Sequence, residues 1–317
     1  MIQKLEFRAM GSKILVAVDS TESKVLEIVH QVPLWFEEWE NTFSRFRPES
    51  ELSRLNRSNG KPFDASKSLM TLLELAQTMR EVTRGAVTPL VLNALIYSGY
   101  DVDFDALKAQ SRGLDLGHLP VPPDACMFEI DASANRVLLP EGVHVDLGGF
   151  VKGWAAHQAM QRLDEFAPCL VNAGGDIAIS GQMADGMPWL IGVENPLAPE
   201  EHVALIEVGG RGIATSGKDY RRWLVGGEVM HHLIDPWTGM PAVGDVFSAT
   251  IIAGDVMSAE AAAKAAVILG SARGQAWLDE QPGIAYLLQL ENGEIILSSL
   301  FESYLWSQDG PKRQECN

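Results

Sequence analysis

Val145-Asp146-Leu147-Gly148-Gly149-Phe150-Val151-Lys152-Gly153-Trp154-Ala155-Ala156 is the stretch on which the fold of this chain turns. Val143 to Asp146 alternates apolar and polar residues behind Gly142, and after the two glycines Phe150, Trp154, Ala155, Met160 and Leu163 recur at helical spacing. That pattern predicts strand, glycine turn, helix. A helix N-terminus presents unpaired N–H groups and the positive end of the dipole, and glycine lets phosphate oxygens approach the backbone closely. Asp146 and Lys152 flank the corner. The same residues also describe a plain connection between two core elements with Asp146 as a helix cap, and this stretch alone leaves both open.

Upstream, Leu5 to Met10 and Lys13 to Val18 read as strands across Gly11-Ser12, and Val25 to Phe43 as an amphipathic helix interrupted at Pro33, with Trp35, Phe36 and Trp39 in its core face. Phe43 to Asn56 mixes aromatic and arginine residues, with Ser50 placed to cap a short helix; it suits a pocket lining or an exposed loop. Ser66 to Thr83 is a second helix, Leu90 to about Leu119 a helical pattern giving way to a polar loop, and Met127 to Leu139 a hairpin turning near Ala134-Asn135. Downstream, Asn172-Ala173-Gly174-Gly175-Asp176-Ile177 carries a second glycine pair, which lies beside the first if the two strands are neighbours but on its own reads rather as a strand bulge. Thr215 to Arg222 is rich in donors, and Trp223 to Ile234 is a strand region broken at Gly226-Gly227. His231 and His232 are adjacent on a strand and therefore face opposite ways. A strand at Ser248 to Ala253, an alanine-rich helix at Ser258 to Leu278 and a hairpin of Ile284 to Leu290 with Ile295 to Leu300 complete the chain.

The 317 residues carry 25 Lys and Arg against 42 Asp and Glu, and the net charge of -17 opposes nonspecific binding to nucleic acid or an anionic membrane. A phosphorylated ligand therefore needs a local trap of amides and cations. Cys126, Cys169 and Cys316 are odd in number and widely spaced, which suits a reduced compartment; with no apolar h-region and no apolar run of roughly 18 residues, the chain reads as cytoplasmic without a transmembrane segment. G-x-S-x-G, G-x-x-x-x-G-K-[ST] and H-E-x-x-H are all absent, and Gly210-Arg211-Gly212 lacks the third glycine of a dinucleotide fingerprint. The residues by themselves define an α+β protein with several glycine-polar corners able to hold an anion.

Taken together, Met10-Gly11-Ser12, Phe43 to Asn56, Asp146 to Ala156, Asn172 to Ile177, Ser216 to Arg222, His232 to Pro241 and Ala259 to Gly270 follow the order and approximate spacing of the ApbE family, and the chain resembles those FAD:protein FMN transferases over nearly its whole length. The resemblance implies a T-fold-like α+β fold of mixed, largely antiparallel sheets packed with helices, as a single unit over residues 1–317 with room for two interleaved subdomains. It also implies FAD as donor substrate, Mg2+ on the FAD pyrophosphate, and transfer of FMN to a threonine of a partner protein with release of AMP. By motif match the FAD contacts are Met10, Phe46, Ala86, Val87, Thr88, Asp146, Lys152 and Leu233, the catalytic base is His232, and the metal positions are Gly149, Glu260 and Lys264.

Two departures qualify the match. The resemblance places an aspartate where Thr88 stands, and an aspartate and a threonine where Glu260 and Lys264 stand. A charged lysine has no lone pair for a metal, so weak or absent metal binding is expected, with Lys264 as a tethered cation and the pair facing the pyrophosphate. The alternatives are an FAD-binding protein without transfer and an FAD pyrophosphatase. Acceptor segments of the family carry an aspartate followed by a Ser/Thr-Gly-Ala-Thr-like run; Asp245-Val246-Phe247-Ser248-Ala249-Thr250 lacks the glycine, so modification of the chain by itself is not expected.

Overall fold

Eight strands form one antiparallel sheet in which spatial order follows chain order: β1 (Ile2–Ala9), β2 (Ser12–Asp19), β3 (Cys169–Ala173), β4 (Asp176–Ile179), β5 (Gly212–Gly217), β6 (Val246–Ala253), β7 (Ala285–Leu290) and β8 (Ile295–Leu297). The computed structural model describes residues 1–107, 128–198 and 200–307. Two of the joints are two-residue hairpin turns with both residues at positive φ, Met10-Gly11 and Gly174-Gly175. That conformation matches the twist of paired strands and is why glycine is needed there. The second glycine pair is thus a hairpin turn and not the bulge expected from sequence. The two turns touch, since a Cβ on Gly174 would stand 2.8 Å from the Ser12 side chain.

Both faces of the sheet are buried. Ile14, Val16, Val18, Val171, Ala214, Ile251 and Leu288 point to one face, and Ala17, Leu170, Ile177, Ile213, Ile252 and Leu287 to the other, as the two-residue strand period requires. On the first face lie helices α1 (Val32–Phe43), α2 (Lys67–Val82), α3 (Val151–Asp164) and α4 (Val256–Asp279), the last broken at Gly270, whose φ is +76°. Edge-to-face contacts of Trp154 with Trp39 at 5.5 Å and Phe43 at 5.3 Å lock α1 against α3, a geometry aromatic rings favour. The second face is covered by strands Trp189–Glu194 and His202–Val208 and by Phe301.

The predicted strand at Val143 to Asp146 is not one. This segment runs without a ladder because its backbone groups bond elsewhere: the Asn56 amide donates to Val145 O at 2.9 Å and accepts from Val145 N at 2.8 Å, and Asp146 N donates to Pro89 O at 2.8 Å. One asparagine side chain does the work of a neighbouring strand. Asp146 does not cap α3 either; its Oδ1 accepts from Gly148 N at 2.9 Å, and the N-cap position is Phe150. The last hairpin is shorter than expected, because Ser298 caps a helical turn at Ser299–Glu302. The helical pattern from Leu90 resolves into Leu92–Tyr97 and Phe104–Leu107, and its remainder to Leu119, like Cys126 and Cys316, lies outside the described residues. Among the described residues no helix is long and apolar enough to cross a membrane.

Candidate active site

The turns of the sheet, the Gly148-Gly149 corner and the segment Thr215 to Ile234 enclose a two-lobed cleft. Its larger lobe, open to solvent on one side, spans about 1100 Å³ of space not filled by atoms. Phe46, Ala86, Val87, Thr88, Asp146, Gly149, Lys152, His232, Leu233 and Lys264 line that lobe, and Met10 lines the smaller one beside Phe46, Asp146 and Lys152. Residues from six separated stretches therefore converge. Glu260 differs: it is 1% exposed and lies beneath the cleft floor, not on it.

Asp146 is committed to the protein. Its second oxygen pairs with Arg45 at 2.7 Å, and the Arg45 guanidinium stacks over the Phe46 ring at 4.1 Å and the Tyr100 ring at 4.7 Å while donating to Tyr100 O at 2.7 Å. This arginine fixes the aromatic wall of Phe46 and Tyr100, whose centroids are 5.7 Å apart. Arg45, Tyr100 and Arg221 all line both lobes and were not singled out from sequence. Arg45 and Arg221 lay in stretches already noted for arginine and donor content, but Tyr100 carried no signal.

At the floor and beneath it four charges interlock, Lys152 and Lys264 on the lining and Asp176 and Glu260 below. Lys152 on α3 pairs with Asp176 of β4 and stands 3.7 Å from Glu260 of α4; Lys264, one turn further along α4, donates to Glu260 Oε1 at 2.8 Å. Gly153 N donates to Glu260 Oε2 at 3.1 Å, and only glycine permits that approach, since a Cβ would stand 2.5 Å from the same oxygen. Burial and Asp176 push the Glu260 carboxyl upward, against Lys264 and Lys152, which hold it down. Burial opposes the charge on Lys152, but Asp176 and Glu260 outweigh it and raise its pKa. The Glu260–Lys264 pair is thus a buried ion pair and not an exposed helix pair.

A divalent ion does not fit this donor set. Both Glu260 oxygens are taken by ammonium and amide groups, Lys264 offers no lone pair, and the described residues contain no group of three His, Cys, Asp or Glu able to hold a metal.

The two histidines face apart, as expected, although the strand ends at His231 and His232 lies just beyond it. His231 turns away from the cleft and bonds through Nε2 to Ala242 O at 3.1 Å, whereas His232 lines the larger lobe, half-buried, with a buried Nδ1 that has no hydrogen-bond partner. Burial, then the cations Arg221, Lys264 and Lys152, hold His232 well below the usual imidazole range, so it is neutral and able to accept a proton.

Burial likewise brings His231 down to about 4 from 6.5. A histidine with a depressed folded pKa is neutral in the native state, so below pH 6.5 the unfolded chain binds the extra proton and stability falls until about pH 4. The expected slope is at most about 1.4 kcal/mol per pH unit from this residue. Thermal unfolding of the parent and of His231→Gln between pH 7 and pH 4 checks it, and parallel curves for the two proteins would refute it.

The chain is thus an antiparallel α+β protein in which a glycine corner, an arginine-braced aromatic wall and a neutral histidine surround one cleft. The ApbE family model matches residues 10–288. The FAD:protein FMN transferase of Treponema pallidum is 31% identical over 83% of this chain and 76% of its own length, and that of Vibrio cholerae 28% identical over 90% and 86%. The crystal structure of the ApbE protein of Thermotoga maritima superposes with a TM-score of 0.86 at 27% identity, covering 97% of this chain and 100% of that one. The flavin transferase ApbE of Vibrio cholerae gives 0.76 at 26%, covering 96% and 99%. This chain belongs to the ApbE family, and its fold is the α+β architecture of those structures.

Proposed function

We propose that this chain is an FAD:protein FMN transferase that takes FAD as donor and passes FMN to a threonine hydroxyl of a partner protein. The observation that carries this is the convergence of Phe46, the Gly148-Gly149 corner and His232 on one cleft, in a member of the family. The isoalloxazine rests on the wall of Phe46 and Tyr100 and the pyrophosphate at the glycine corner, where α3 begins. The acceptor hydroxyl oxygen bonds to the phosphorus on the flavin side, the bond from that phosphorus to the bridging oxygen breaks, AMP leaves with the bridging oxygen, and the hydroxyl proton passes to His232. Such a loose transition state asks for positioning more than for a strong base, which suits an imidazole of low basicity.

FAD titration followed by flavin fluorescence is expected to show quenching in the micromolar range. Incubation with an acceptor segment bearing Asp and Ser/Thr-Gly-Ala-Thr is then expected to give one AMP per flavin attached. AMP with free FMN and no adduct would make the protein an FAD pyrophosphatase, binding without AMP a non-catalytic FAD protein, and no quenching would remove the reading altogether.

The chain itself should not become modified. Thr250 sits on β6 at 1% exposure with its hydroxyl 2.9 Å from that of Thr215, out of reach of a transferred phosphoryl group. Intact mass after prolonged incubation with FAD is expected to equal that of the untreated protein. An added FMN mass would contradict this.

A further inference from the structure

Of the four cations that line the larger lobe, Arg45, Lys152, Arg221 and Lys264, three have a carboxylate partner and one does not. Arg45 is matched by Asp146, Lys152 by Asp176 and Lys264 by Glu260. Arg221 lines both lobes, is half-buried, and has neither a hydrogen bond nor a carboxylate within ion-pair distance among the described residues. Its guanidinium reaches the β1–β2 turn, lying 3.5 Å from where a Cβ of Gly11 would be. A cation drawn partly out of water without a counter-charge is destabilising on its own account, so its place is best explained by an anion that arrives with the ligand. The planar fork of arginine matches phosphate oxygens in pairs. Lys264 stands at the same corner, its Cε 3.3 Å from where a Cβ of Gly149 would be, and only one of its three ammonium hydrogens is spent on Glu260.

The tethered cation expected at Lys264 is therefore half of a neutral pair and cannot by itself replace the charge of a divalent ion. We propose that Arg221, with Lys264 beside it, anchors the FAD pyrophosphate in place of a metal, so that this chain binds its dinucleotide without a divalent cation. The proposal rests on the FAD reading above. It also accounts for a donor set at Glu260 that has no room for magnesium.

The test is FAD affinity of the full chain, measured by flavin fluorescence in chelator and in millimolar Mg2+, for the parent, Arg221→Gln, Arg221→Lys and the exposed neighbour Arg222→Gln. The parent is expected to give the same affinity within about twofold in both media. Loss of a charge-assisted bidentate contact should weaken binding about 10- to 100-fold in Arg221→Gln, with partial recovery in Arg221→Lys and no change in Arg222→Gln. Circular dichroism identical to the parent confirms that the fold is kept. A parent that binds FAD more than about tenfold tighter with Mg2+, or an Arg221→Gln variant within twofold of the parent, overturns the proposal while leaving the FAD reading intact. Absence of FAD binding in both media overturns the FAD reading, and this proposal with it.

Discussion

Replacing Lys152 by methionine is expected to lower the free energy of unfolding by about 3–5 kcal/mol, the usual cost of stripping one partner from a buried ion pair. Asp176 and Glu260 are each 1% exposed, and Lys152 is the only cation within ion-pair distance of Asp176 among the described residues. Without it, Lys264 remains for Glu260, but Asp176 keeps a buried charge with no counterpart. Against a typical stability of about 5–15 kcal/mol, that loss is a large fraction of the total. The double variant Lys152→Met with Asp176→Leu should recover most of it, because exchanging a whole buried pair for apolar groups of similar volume is often nearly neutral. Urea unfolding of the three proteins measures both effects. A single-variant cost below about 1 kcal/mol would mean that Asp176 finds water and that the four charges do not form a closed unit.

That closed unit also shows where sequence reasoning reaches its limit. Glu260 and Lys264 are four apart on a helix, which establishes that they share a face but not which face, and α4 is buried nearly all round, with Ala259, Ala261, Ala262, Ala263, Ala265, Ala266 and Val267 covered. A helix buried on every side has little amphipathic signature to orient it. The sheet hid itself for a related reason. A strand covered on both faces, such as β4, loses the alternation of apolar and polar residues that marks a half-buried strand, whereas most of β6 was read from its run at Ser248 to Ala253. The end of β5 fell inside Thr215 to Arg222, read as a donor-rich stretch, and Trp189–Glu194, partly exposed, went unnoticed. The edge hairpin of β1 and β2, exposed in alternation along β1, was plain in the sequence, as were α2 between Ser66 and Thr83 and the hairpin turning at Asn135. Within the cleft, residues belonging to recurrent motifs were legible from the family resemblance. Tyr100 was not, because it meets Arg45 across 55 positions of chain and no local pattern announces that contact.

Replacing His232 by alanine is expected to cost about 10²–10⁴-fold in the rate of FMN transfer, the range for loss of a positioned general base, while FAD affinity changes by no more than a few-fold. The asymmetry follows from what the imidazole does. The ring lines the cleft and contributes no charge at neutral pH, so its removal takes away a proton acceptor and not a binding charge. His231→Gln is the matched control: that ring faces Ala242 and not the cleft, so its loss should alter stability and leave transfer intact. The pH profile supplies an independent check. Because burial and the neighbouring cations hold His232 well below 6.5, the acid limb of kcat/KM, which reports ionisations of the free enzyme, should fall below that value, and the rate should be flat from there to pH 8. The base would be elsewhere if His232→Ala kept more than about a tenth of the parent rate, or if the acid limb stayed in place when His232 was removed.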